Sequence, residues 1–195
     1  MRIGVFGGTF DPVHLGHLIA AEQAREQARL DQIAFVPAAR PPHKMERSLT
    51  PFAHRVEMLS LAIAGHPAFR VEELERDRPG PCYTVDTLEE LHRSSPDAEL
   101  ALVLGADCLP DLTTWREPER IGRLAEIVLV PRPGVTVAQE KTATSIRIGT
   151  TVEMPLVDIS SHDIRQRVSA RRSIRYLVPR AVECYIESHS LYRSE

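Results

Sequence analysis

Two histidines three residues apart, His14 and His17, follow a cluster of glycines in "GVFGGTFDPVHLGHL" (residues 4–18), where an apolar run gives way to helical spacing. Positions i and i+3 share one face of a helix's first turn, so such a pair can ligate a metal, cap the helix or meet an anion together. Ligation calls for a third donor and the H-E-x-x-H spacing, and neither is present. Gly7 and Gly8 let main-chain N–H groups approach an anion closely, and a helix opening near Leu15 aims the positive end of its dipole at the same point. That combination reads as a phosphate cradle, with both imidazoles donating to phosphate oxygens. Capping by half-buried histidines is the plainer alternative. The glycine spacing is G-x-x-G-G, which is not the dinucleotide fingerprint, and no G-K-[ST] follows to make a P-loop.

Other side chains of chemical interest are scattered along the chain. Lys44 is one of two lysines beside 22 arginines, and Pro41 and Pro42 stiffen the segment that presents it. It can bind phosphate or simply be solvated. Asp107 follows the apolar run "LALVLG", where an open α/β sheet gathers its ligand groups, although capping a helix is an equally ordinary task for Asp. Trp115, the single tryptophan, reads on composition alone as core packing. Ser160 precedes Asp163 by three residues, the spacing of a capping box. Arg165 then falls in that helix's first turns, a poor place for a cation unless an anion joins it. Arg167, Arg171, Arg172 and Arg175 read as a solvated face, since the aromatic residues of an RNA-stacking surface are missing.

The elements that must position these groups alternate. Short apolar runs at 2–6, 33–37, 69–74, 100–105, 126–131 and 153–159 predict strands. Residues 15–29, 52–65, 84–93 and 117–124 carry helical spacing, as in Val56, Leu59 and Ile63, and the chain from Ser161 predicts further helices, the last started by Pro179. This alternation predicts an α/β fold, a Rossmann-like doubly wound parallel sheet with helices on both faces. Ligands then bind at the carboxyl ends of the strands, which makes the loops after the first and fourth strands the chemical ones. Residues 37–51, rich in proline and charge, read as a lid-like loop, and 133–151 as a surface excursion without period.

The 195 residues are 43% apolar and 26% charged, with a net charge of −3. That length supports one domain with a sizeable core and is short for two, so residues 1–195 read as a single domain. No basic field points to nucleic acid. Cys82, Cys108 and Cys184 include no C-x-x-C pair, which argues against a disulfide framework or a zinc site. The opening "MRIGVFGG" is too short for a secretory signal and no later stretch has the length of a membrane span, so a cytoplasmic protein is expected.

The stretch G-G-T-F-D-P-V-H-L-G-H resembles the signature of the HxGH nucleotidyltransferase superfamily, and "ISSHDIR" (159–165) resembles its second signature, I-S-S-T-x-I-R. His162 departs from that pattern, standing where threonine is usual. "PPHK" (41–44), "YTVDTL" (83–88), "LGADCLPDLTTW" (104–115) and "VPRAVECYIESHSLY" (178–192) are similar to bacterial nicotinate-mononucleotide adenylyltransferases. These matches span nearly the whole chain, in the family's order.

The resemblance implies adenylyl transfer from ATP to nicotinate mononucleotide with release of pyrophosphate, and Mg²⁺ arriving with ATP. It implies catalytic roles for His14, His17, Lys44 and Arg165. ATP contacts are implied for these histidines and Arg165 and for Gly7, Gly8, Thr9, Phe10, Gly105, Asp107, Ser160 and Ser161. Acceptor contacts are implied for Lys44, Tyr83, Thr84, Asp107 and Trp115, with the tryptophan stacking on the pyridine ring. No nucleic-acid or membrane partner is expected, and a homo-oligomer stays open. A nucleotide-binding regulator without chemistry and a fragment related to aminoacyl-tRNA synthetases are the rival readings. The second lacks a K-M-S-K-S loop and a tRNA-binding extension.

Overall fold

The computed structural model describes residues 1–41, 49–134, 146 and 148–193. Strand β1 (Arg2–Gly8) sends Ile3 and Val5 to one face and Phe6 to the other, the pattern of a strand covered on both sides. It pairs in parallel with β2 (Gln32–Pro37) and with β4 (Glu99–Gly105). Beyond β2 lies the short β3 (Phe69–Val71); beyond β4 lie β5 (Ala125–Val130) and β6 (Ile148–Thr151). The order β3-β2-β1-β4-β5-β6, parallel throughout, is the doubly wound sheet that the alternation predicts.

Helices cover the two faces in separate groups. Helix α1 (Leu15–Gln27) buries only alanines, Ala20, Ala21 and Ala24, so its backbone lies close to the sheet. Helix α2 (Phe52–Ile63) adds Val56, Met58, Leu59 and Ile63. Helices α5 (Ser161–Ser169) and α6 (Arg180–Ser188) complete that layer with Ile164, Val182 and Ile186. The opposite core holds Val85, Leu88 and Leu91 of α3 (Thr84–Ser94) and Ile121 of α4 (Pro118–Leu124) against Ile3, Val5, Leu102 and Ile127. Two single 3₁₀ turns, Ala106–Cys108 and Leu112–Thr114, carry the chain from β4 to α4.

Two sequence expectations need correction. Residues 153–159 form no strand; the edge strand is β6, in the half-polar "IGTT" at the end of the presumed surface excursion. Val152 N–H still reaches Leu129 O at 2.8 Å, but the ladder stops there. Pro155 has no N–H to continue it, and the apolar side chains Met154, Val157 and Ile159 turn instead to line a cleft beside α1. Within that excursion Ile146 is buried, close against Gly122 of α4. Pro179 starts the last helix as the sequence suggests, from the N-cap of α6.

Candidate active site

The strand order reverses between β1 and β4, and hollows open on either face of the sheet at their carboxyl ends. This is the crevice where an open α/β sheet binds ligands. On the α1 face lies a small cleft lined by Phe6, His14, Gly16, His17, Gly105 and Arg132. On the α3–α4 face lies a cavity of about 270 Å³ whose lining includes Gly7, Gly8, Thr9, Glu75, Tyr83, Thr84, Trp115 and Arg116.

The histidines form one unit. His14 is the N-cap of α1, and its ring stacks on that of His17 with centroids 3.6 Å apart and planes 23° apart. The main-chain N–H of His14 donates to His17 Nδ1 at 3.3 Å, so a neutral His17 carries its proton on Nε2. Phe6 and Phe10 meet the His17 ring edge-on at 6.2 and 5.1 Å. Gly16 explains the glycine between the histidines: a Cβ there would lie 3.1 Å from His14 Nδ1, too close for the ring to keep its place. His14 is 2% exposed, and its Nδ1 is buried with no hydrogen-bond partner among the described residues. Burial, helped by the nearby Arg132 guanidinium, lowers its pKa to about 4. The ring is therefore neutral at physiological pH, a dipolar hydrogen-bonding group rather than a cation.

The second signature reaches this unit through the turn between β1 and α1. Ser161 Oγ donates to Pro12 O at 2.8 Å and Arg165 Nη1 to Asp11 O at 2.6 Å, two and three residues before His14. Arg165 thus finds a carbonyl near the positive end of α5. Ser160 accepts from Asp163 N–H at 3.1 Å, as the capping-box spacing predicts, and its hydroxyl donates to Asp163 Oδ2 at 2.7 Å. Asp107, in the turn after β4, lies 3.6 Å from Arg132 Nε. Its carboxylate covers Gly105, where any side chain would collide with it.

Of the anticipated residues, His14, His17 and Gly105 share the cleft, and Gly7, Gly8, Thr9, Tyr83, Thr84 and Trp115 share the cavity. Asp107, Ser160, Ser161 and Arg165 stand near the cleft without lining either hollow. Phe10 is 1% exposed with its ring in the core, so a nucleotide contact from it would come from its main chain. Lys44 lies outside the described residues. Exposed His162 is the second residue of α5.

Several contributors escaped the sequence reading. Arg55 is 1% exposed, and its guanidinium donates to Thr50 O, Thr9 O and Ala38 O at 2.8–2.9 Å. Asp11, also buried, accepts from Thr50 N–H at 3.2 Å and from Tyr192 O–H at 2.7 Å. Burial and the Asp11 carboxylate hold the Tyr192 phenol well above its ordinary pKa. Glu75 accepts from Ala39 N–H at 3.1 Å and from Thr87 Oγ1 at 2.9 Å. The available signal was Arg55 itself: it falls on the same helical face as Leu59, where a charge demands partners. Arg132 and Arg116 gave none, because their places depend on loops folding back across the sheet.

A doubly wound sheet with a histidine pair at the first strand–helix junction defines a nucleotide-handling α/β protein, and the family model described as Cytidylyltransferase-like matches residues 5–167. Relatives covering the full length narrow this. A protein of Thermus thermophilus named "Probable nicotinate-nucleotide adenylyltransferase" is 51% identical, the match covering 99% of this chain and 100% of that one. One of the same name from Thermomicrobium roseum is 48% identical, with 99% and 92% covered. The chain belongs to the nicotinate-nucleotide adenylyltransferase family. The fold agrees with the solved structure of Plasmodium falciparum nicotinic acid mononucleotide adenylyltransferase complexed with NaAD, at a TM-score of 0.84 and 20% identity, covering 98% of this chain and 97% of that one.

Proposed function

We propose that the protein transfers the adenylyl group of ATP to nicotinate mononucleotide, giving nicotinate adenine dinucleotide and pyrophosphate as a step of NAD biosynthesis. The observation that carries this reading is the pair of hollows flanking the β1–β4 reversal, with stacked histidines on one face of the sheet and an aromatic-lined cavity on the other.

The acceptor's phosphate is its own nucleophile. With a second pKa near ~6 it is already largely ionised at neutral pH, so the site needs no general base. One of its oxygens bonds to the α-phosphorus of ATP as the α–β bridging P–O bond breaks. Pyrophosphate leaves with that electron pair, and no group is held covalently by the enzyme. What remains for the protein is to align two polyanions and stabilise the charge that grows on the α-phosphate and the leaving group. His14 and His17 are suited to donate from the head of α1, with Arg132 and Arg165 supplying positive charge nearby. Lys44 is assigned the same task from sequence. Glycines 7 and 8 leave the carboxyl end of β1 open to phosphate, and Trp115 and Tyr83 provide flat faces for the pyridine ring.

No three His, Cys, Asp or Glu side chains gather into a metal-binding group among the described residues. The titratable and charged side chains lining the cleft itself are imidazoles and a guanidinium, which suit phosphate oxygens, and the nearby Asp107 carboxylate lies against Arg132. Mg²⁺ enters with the substrate, as the magnesium salt of ATP. No described helix is long and apolar enough to cross a membrane. A cytoplasmic location belongs to the proposal.

The test is pyrophosphate release with ATP and three acceptors, nicotinate mononucleotide, nicotinamide mononucleotide and phosphopantetheine. The reading predicts the highest kcat/KM with the first. Binding of ATP without pyrophosphate release from any acceptor would favour a regulator, and a clear preference for phosphopantetheine would reassign the acceptor.

A further inference from the structure

Arg116 is the single cationic residue lining the cavity on the α3–α4 face, among the described residues. It follows Trp115 directly, and its guanidinium carbon lies 4.7 Å from the centroid of the Tyr83 ring, a cation–π arrangement. Tyr83 is the N-cap of α3, and the first helical bond of that segment runs from Thr87 N–H to Tyr83 O. The main-chain N–H groups of Thr84, Val85 and Asp86 therefore have no partner within the helix. Thr84, the first of them, lines the cavity. The first residue of α3 and a guanidinium thus border the same space.

Two acidic neighbours moderate Arg116, but loosely: Asp86 Oδ2 at 3.7 Å and Glu117 Oε1 at 3.8 Å, all three side chains being substantially exposed. The one acidic residue of the lining, Glu75, has each carboxylate oxygen engaged, one by Ala39 N–H and the other by Thr87 Oγ1. The wall beside Trp115 therefore presents donors and positive charge to whatever a ring stacked there carries.

We propose that Arg116 is the specificity-determining residue that makes this cavity select the carboxylate of a pyridine acceptor over the corresponding carboxamide. The proposal rests on the function assigned above and adds which side chain chooses between the two acceptors. A carboxylate offers only acceptors and a negative charge, which match both the α3 amides and the guanidinium. A carboxamide presents one acceptor oxygen and an NH₂ donor, and being neutral it gains nothing from the guanidinium's charge. Spread on Tyr83, the guanidinium loses little further freedom when the ring arrives.

The measurement is kcat/KM for nicotinate mononucleotide and for nicotinamide mononucleotide, in the wild type and in Arg116→Gln and Arg116→Lys. Because Arg116 is half exposed, the acid-to-amide ratio should fall in Arg116→Gln by roughly three- to tenfold, carried by a higher KM for the acid while the KM for ATP stays put. Arg116→Lys, which keeps the charge, should retain most of the ratio. A ratio in Arg116→Gln within about twofold of a clearly acid-preferring wild type would overturn the role of Arg116 and leave the assigned function standing. A wild type indifferent to the two acceptors, or inactive with both, would overturn the assigned acceptor and this proposal together.

Discussion

At His14 burial and the proposed catalytic role meet in one ring. Its pKa is lowered to about 4 by burial, with Arg132 adding to the shift, whereas the unfolded chain should protonate it near 6.5. The unfolded state then holds the extra proton between these values, so stability attributable to the neutral ring is complete above about pH 6.5 and is lost as pH falls toward 4, by about 3 kcal/mol in all. Denaturant unfolding of the wild type and His14→Gln at pH 7, 5 and 4 checks this: the wild type should lose stability more steeply. Equal slopes would show that the ring titrates normally. For turnover the expectation differs. Replacing either His14 or His17 by Ala should lower kcat roughly 10²–10³-fold at saturating substrates, the cost of losing one donor to developing charge. A rise in the KM for ATP alone would make the pair ground-state binders.

Among the elements, the turn after β1 is held from beneath by α2. Arg55 ties Thr9, Ala38 and Thr50 together through their carbonyls, and Thr9 and Ala38 both line the cavity. Arg55→Met should leave three inward-facing carbonyls without that donor and cost roughly 3–5 kcal/mol of folding stability. The midpoint of urea unfolding reads this directly; a shift of less than about 1 kcal/mol, the range of an exposed substitution, would contradict it. The strands were legible where both faces are apolar, as in β1, β4 and β5, and the histidine pair stood out because its spacing fixes a shared helical face. Edge strand β6 was not legible, since only one side of "IGTT" needs to be apolar, while the more hydrophobic 153–159 spends its side chains on the cleft. Arg55, Asp11 and Glu75 were missed for a related reason: their partners are backbone groups far away in sequence, which no local pattern announces.

Across the whole molecule, the sheet places the two hollows on opposite faces of the β1–β4 reversal, and the proposed function gives each a substrate. Side chains alternate along β1, so Phe6 faces the histidine cleft while Val5 faces the aromatic cavity, which the glycine-rich end of the strand also lines. Donor and acceptor held on opposite faces react directly in the proposed reaction, with nothing for the enzyme to carry between them. Exchange of labelled pyrophosphate into ATP distinguishes such direct transfer from transfer through the enzyme. With enzyme, Mg²⁺, ATP and labelled pyrophosphate alone, no label should enter ATP. A catalytic amount of nicotinate mononucleotide should start the exchange, since formation and pyrophosphorolysis of the dinucleotide then run in both directions, and His14→Ala should slow it roughly as it slows kcat. Exchange without any acceptor would reveal an adenylyl-enzyme and contradict direct transfer; no exchange with the acceptor present would contradict the reaction itself.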